Sequence, residues 1–386
     1  MDAEASVRRR GMGSPELSPV DAAAHRRVVH TEAMFVKDRD TPDPIGLHAT
    51  CGELATLAER TAVEGPWRSG AFAGLARRGV LAGFIPEEAG GTGAREPAIL
   101  SAITAIAERC LTTALALTQW ASAVRMLAGG PPELRAALLP PLARGEATTT
   151  VGISQLTTSR QHVGSPALVA SAEADGSWRL DGLCPWVTGA DSSDTIVTGA
   201  ATAGGDQRFF VVRTDAPGLV IDHPLEMLAL SGSRTSVVRF QAVCPLAVIL
   251  PPAGGPRTGG LATTAVALGA TQAALDVLRR ESEQRPSLAP VTAHLATEAA
   301  DLSAQLQAAA GAGIDAAARD RLRTDANSLV VRAAQAAITA TKGAGFVRGH
   351  PVERLARESL FFLVWSCPQA VATATLCELA GLTAAT

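Results

Sequence analysis

The chain has 386 residues, 47% of them hydrophobic and 18% charged, and its 34 Lys+Arg against 37 Asp+Glu leave a formal net charge of −3. That balance, with one basic cluster at Arg8–Arg10, excludes a nucleic-acid binder, which needs a basic excess or stripe. The length implies two or three packed units, because single cores stop growing at roughly 250 to 300 residues.

Six cysteines (Cys51, Cys110, Cys184, Cys244, Cys367 and Cys377) show no CxxC spacing, and no apolar run follows the basic N-terminus. The longest apolar stretches, Ser359 to Trp365 and Val243 to Ile249, fall short of the ~20 residues that cross a bilayer. A cytoplasmic protein without a membrane span is expected.

Residues 1 to 45 mix charge, Pro and Ser with too few periodic apolar positions to bury a face, and are expected to form a disordered arm. Helical spacing begins with Leu47, Leu54, Leu57 and Ala58 and continues in a second helix with Phe72, Leu75, Ala76 and Val80. "GVLAGFIPEEAGGTG" ends that helix, and two more are expected, a bent or broken run from Glu96 to Ala128 and one from Pro132 to Arg144. Residues 46–148 thus read as a helical domain.

From 149 to 252 the period changes to short β-branched runs separated by turns such as Asp175-Gly176, which predicts an antiparallel barrel or sandwich. "PPAGGP" at 251–256 reads as a linker. Helical periodicity fills 257–386, with four helices expected at about 258–284, 288–310, 314–342 and 351–380, a bundle.

Four segments in this order carry a family resemblance: "LARRGVLAGFIPEEAGGTG", "DGLCPWVTGADSSD", "LALSGSRTSVVRFQAVCPLAVIL" and "ATKGAGFVRGHPVERLARES". Together with the helical, β, helical layout they resemble the acyl-CoA dehydrogenase superfamily. The resemblance implies an N-terminal α-helical domain, a middle antiparallel β-barrel domain and a C-terminal four-helix bundle, in a homodimer or homotetramer that binds FAD. It places Ser154 and Thr188 as hydroxyls at the flavin ring and Trp186 as the flanking indole. Arg285 would reach the pyrophosphate of a neighbouring subunit's flavin, and Gln335, Gly343 and Gly345 would receive the adenosine half. Such a cofactor needs these parts: hydrogen bonds to the ring, an apolar wall, and close backbone or cations at the phosphates.

Each residue also has a plainer reading. Trp186 can be a core indole between sheets, Thr188 a strand-edge hydroxyl, Arg285 a helix C-terminal cation, and the two glycines a helix C-cap.

The pattern breaks at the base. Family members that dehydrogenate acyl-CoA take the α-proton with a Glu in a Tyr-Glu-Gly turn; here Trp365, Ser366 and Cys367 stand there. The alternative place, at the start of the first bundle helix, holds Gly259 and Gly260. Ser366 cannot act as a base unaided, and Cys367 reads as a thiol without a visible activating partner. Pro368 signals a helix start or kink. Gln155 replaces a usual Glu in "SQLTTSRQHVGS", whose His162 is either a proton donor and acceptor or a solvated loop residue. Glu358 matches an acidic position that is structural in the family.

Three functions follow from these residues. The first is an FAD-dependent oxidoreductase acting on the CH-CH bond of an acyl-CoA-like substrate, with an electron-transfer partner. The second is a flavin-dependent monooxygenase on the same fold, supplied by a flavin-reductase partner. The third is a non-catalytic flavin- or acyl-binding member.

Overall fold

Proline and glycine set the helix limits in the first third of the chain. The computed structural model describes residues 68–157, 166–249, 260–365 and 367–382. The expected arm at 1–45, the helix expected around Leu47 to Ala58, the linker at 251–256, His162, Gly259 and Ser366 lie outside the described residues.

Helix α1 (Arg68–Arg77) and the single turn α2 (Val80–Gly83) form where one helix was expected, because Gly79 between them takes φ 74. Helix α3 (Glu96–Arg109) opens with Pro97 in its first turn and buries Leu100, Ile103, Ile106 and Ala107 at helical spacing. It breaks at Cys110, extended at φ −153, and α4 (Leu111–Ala128) follows at once. Helix α5 (Pro132–Arg144) begins behind Pro131 and stops at Gly145, φ 68.

The sheet is built from β1 (Thr149–Gly152), β2 (Leu168–Ala172), β3 (Trp178–Val187), β4 (Thr195–Thr202), β5 (Gln207–Arg213), β6 (Leu219–Ile221), β7 (Ser236–Val243) and β8 (Ala247–Ile249), with the short helix α6 (Ser154–Thr157) after β1. Its order is β6-β7-β3-β2-β4-β5-β8, and β1 pairs with β4 off that path. The expected antiparallel barrel needs two corrections. Five pairings are antiparallel, but β1 and β2 both run parallel to β4. They share one edge, Thr149 to Gly152 opposite Thr195 to Thr198 and Val169 and Ala170 opposite Ala201 and Thr202, while β5 takes the other. Among the described residues β6 and β8 stay unpaired to each other, so the ring is open.

The last third holds α7 (Leu261–Gln284), α8 (Ala289–Ala312) and α9 (Ala316–Thr341), the last capped by the Asp315 carboxylate, which accepts from Ala318 N at 2.7 Å. The expected fourth helix is instead two, α10 (Pro351–Ser359) and α11 (Gln369–Leu379), separated by a 3₁₀ turn at Leu360–Leu363; Pro368 caps α11. No apolar stretch was expected to reach membrane-spanning length, yet α7 does by length and composition. Of its most apolar 18-residue window 72% is buried inside the fold, where it packs against α3 and α9. Gly269 makes that packing possible: a Cβ there would fall on the Thr104 carbonyl and within 2.6 Å of Ala107 Cβ. One large apolar core runs through the helices, and a second, with Leu180, Ile196, Phe210 and Val238, fills the sheet.

Candidate active site

Strand β3 sets the first part of the site through an irregularity. Its pairing with β7 shifts register between Cys184 and Val187, around Pro185, which cannot donate to the ladder. Cys184 and Val187 therefore both point into the core, and Trp186 turns out, 54% exposed. The core-indole reading of Trp186 does not hold. Immediately after the strand Thr188 is buried, and its hydroxyl meets Thr235 Oγ1 at 3.1 Å, which in turn meets Ser233 Oγ at 2.9 Å. Thr150 Oγ1 of β1 donates to the Thr188 carbonyl at 2.8 Å, and Gly189 N donates to Ser233 O at 3.0 Å. Three hydroxyls in a row leave the chain one rotor state from presenting a donor at either end.

Ser154 joins this end of the sheet from α6, with Oγ 3.7 Å from Cys184 Sγ. Gln155, where a Glu is usual in the resembled family, turns inward instead. Its Nε2 donates to the Gly199 carbonyl at 2.7 Å and its Oε1 accepts from the Cys184 thiol at 2.9 Å. Burial pushes that thiol up to about 11, so it stays a neutral donor. An amide serves this buried, two-sided role without the penalty of a buried carboxylate.

A second group forms at the end of α7. Arg285 donates to Glu281 one turn back and to the carbonyl of Ala340 near the end of α9. The helix-terminal reading is therefore realised, and the contact brings Arg285 to the Lys342–Phe346 turn that holds Gly343 and Gly345. A Cβ at Gly345 would collide with the Thr341 side chain, whereas Gly343 has open space around it. Lys342 stands at φ 56, ψ −145, a region that favours glycine. Gln335 lies exposed on α9, two turns before this bend.

The third group, around Trp365, contains residues that sequence reasoning missed. Trp365 stacks on Phe361, centroids 5.4 Å apart, and Arg323 of α9 lies beneath it. Arg323 is 1% exposed; its Nη2 donates to Trp365 O at 2.8 Å and its guanidinium carbon sits 5.4 Å from the indole centroid. One turn on, Asn327 Nδ2 donates to Phe362 O at 3.0 Å. Among the described residues, Arg323 Nε and Nη1 and Asn327 Oδ1 have no hydrogen-bond partner. Burial pulls the guanidinium down to about 10, with Cys367 beside it acting the other way. Burial likewise pushes the Cys367 thiol up, against the pull of Arg323. The available signal was an Arg and an Asn at i, i+4 within the buried stripe of Leu322, Ala326, Leu329 and Val330. Glu358, one turn earlier in the chain, lines a separate cavity with Cys110 and Leu111.

Helices, an eight-stranded sheet and helices again, in that order, define the acyl-CoA dehydrogenase fold. The glutaryl-coenzyme A dehydrogenase in its glutaryl-CoA complex superposes on the chain with a TM-score of 0.73 at 20% identity, covering 87% of this chain and 95% of its own. Residues 50–146 match the family model described as acyl-CoA dehydrogenase, N-terminal domain. A probable acyl-CoA dehydrogenase of Bacillus subtilis is 26% identical over 340 residues, 80% of this chain and 88% of the relative. An amino sugar nitrososynthase of Streptomyces rubradiris is 29% identical over 248 residues, 57% of this chain and 56% of the relative. These similarities together support the acyl-CoA dehydrogenase superfamily for this chain.

Proposed function

We propose that the protein is an FAD-dependent oxidoreductase acting on the CH-CH bond of an acyl thioester or related substrate. The observation that carries this reading is the exposed indole of Trp186 next to the buried Thr188–Thr235–Ser233 hydroxyl chain. An indole face is a wall for a flat conjugated ring, and a preset hydroxyl is a donor to its edge. These residues fit a flavin, and the open space around Gly343 fits close approach of a phosphate to backbone. When bound, the flavin supplies two-electron redox chemistry.

The chain's own residues do the rest. Thr235 and Ser233 hold the Thr188 hydroxyl in place, and Ser154 adds a second hydroxyl from α6. Arg285 braces the turn that offers Gly343 and Gly345, with Gln335 on the approach to it. Arg323 and Asn327 fix the backbone carbonyls of Trp365 and Phe362. In this reading the protein works in the cytoplasm as a homodimer or homotetramer and passes electrons to an electron-transfer partner.

One observation favours a second reading, a flavin-dependent monooxygenase served by a flavin-reductase partner. The stretch from Leu360 to Cys367 carries no carboxylate, and α-proton removal requires a base. The similarity to a nitrososynthase supports it. Ser366 and His162 would then serve as polar groups at the pocket mouth.

The deciding experiment is the visible spectrum of the purified protein with flavin occupancy per chain, followed by anaerobic titration with an acyl-CoA panel. Bleaching of bound flavin by an acyl-CoA supports the first reading. Substrate-dependent oxygen uptake with supplied reduced flavin, without bleaching, replaces it with the second. A folded protein that binds neither oxidised nor reduced flavin overturns both.

A further inference from the structure

Between the α3–α4 break, the 229–232 segment and α10 lies a cavity of about 110 Å³. Its wall includes Cys110, Leu111, Thr112, Arg354, Arg357 and Glu358. Helix α4 starts there without a side-chain cap, since Cys110 makes no capping hydrogen bond. The first N–H groups of this 18-residue helix therefore lack intrahelical acceptors and carry the positive end of its dipole. Arg357 is held by Glu353 and donates to Leu228 O at 2.9 Å.

Glu358 is only 7% exposed, and its carboxyl makes no hydrogen bond among the described residues. Its closest charge contact, Arg354 Nε, is 3.9 Å away, beyond hydrogen-bond distance. A carboxyl buried to this extent normally has partners, and this one faces a cavity instead.

We propose that this cavity is a binding site for a small carboxylate of about acetate's size, taken up together with one proton on Glu358. The volume matches: at about 30 Å³ per water of liquid, the space holds roughly four waters, or the four heavy atoms of acetate. The charge matches as well. With Glu358 neutral, the Arg357 guanidinium, held from behind by Glu353, and the positive end of α4 line the cavity, with Arg354 beside Glu358. The 229–232 segment brings no titratable side chain, and burial keeps the Cys110 thiol neutral by pushing it up. The proton comes from solvent or buffer, forms an O–H bond on Glu358 and stays there, and that O–H donates to the bound carboxylate; no other covalent bond changes. Burial has already raised the Glu358 carboxyl to about 7, so it takes up this proton readily near neutral pH.

Titration calorimetry with sodium acetate on the full chain tests this, at about pH 6 and about pH 8, with ionic strength held by chloride and in two buffers of different ionisation enthalpy. The expected result is saturable binding, about tenfold weaker at pH 8 than at pH 6, with little proton uptake at pH 6, where Glu358 already holds its proton, and uptake approaching one per acetate at pH 8. Acetamide should not bind. Glu358→Gln should keep acetate binding and lose its pH dependence, and Arg357→Met should weaken binding at both pH values. Acetate heats no different from chloride, zero proton uptake by the wild type at pH 8, or wild-type pH dependence in Glu358→Gln would each overturn the proposal. The proton count is made on the wild type and stands even if the variant does not fold.

Discussion

Replacing Glu358 by Gln removes an ionisation that the fold resists. Burial moves this carboxyl from its ordinary 4.5 to about 7, against the smaller opposing pull of Arg354 and Arg357. Well below pH 4.5 both the folded and the unfolded chain hold the proton, and the shift has no effect on stability. As pH rises toward 7 the unfolded chain releases the proton while the folded one keeps it, so folding loses stability across that window. Above about 7 the loss is complete. At about 1.4 kcal/mol per pH unit it amounts to about 3 kcal/mol. Gln keeps the shape and the polarity but never ionises. Glu358→Gln should therefore match the wild type near pH 4 and exceed it by up to about 3 kcal/mol near pH 8, read from urea unfolding midpoints at constant slope. A stability difference that stays flat between those two pH values would refute the reasoning, whatever its size.

Gly269→Val should destabilise by about 3 kcal/mol or more, since its side chain would enter the α3–α7 contact at Thr104 and Ala107; an unchanged melting temperature would show that the two helices are not so close. Lys342→Gly should stabilise by about 1 kcal/mol by relieving the φ 56 backbone, and a lower melting point would count against that conformation. Arg285→Ala frees the Lys342–Phe346 turn and should lower flavin occupancy per chain while the helical circular dichroism stays the same; equal occupancy would remove Arg285 from the cofactor site. If the dehydrogenase reading holds, Ser366→Glu should speed anaerobic bleaching by acyl-CoA, and a folded, flavin-loaded variant that bleaches no faster would argue against position 366 as the place of the base.

Elements whose limits are written in local chemistry were legible in the sequence. Pro131 and Pro132 start α5 and Gly145 stops it, and Pro368 starts α11. A bent or broken run from Glu96 to Ala128 was expected, and the structure puts the break at Cys110. What depends on distant partners was not legible. The parallel pairing of β1 and β2 with one edge of β4 joins segments far apart in sequence, and β-branched runs alone do not specify direction. The outward turn of Trp186 comes from a register shift that only the β7 neighbour reveals. Arg323 was hidden by its own helix, since a single cation in an apolar stripe looks like a surface residue until its burial is known. The membrane-span test failed in the opposite direction: α7 is apolar because it runs through the core.

The shared edge of β4 has a consequence for how this chain acquires its structure. One half of that edge is claimed by β1, which follows α5 directly, and the other by β2, some twenty residues further on. Strand β2 can first pair with its neighbour β3, but β1 has no such local partner and waits for β4, more than forty residues beyond it. Zipping from a local hairpin can assemble β4 with β5, but the β1 pairing demands closure of a long loop, an entropic barrier late in folding. Amides of β1 should accordingly gain protection from hydrogen exchange after those of β5, and a ribosome-bound chain ending near Thr195 would still lack the partner that β1 needs.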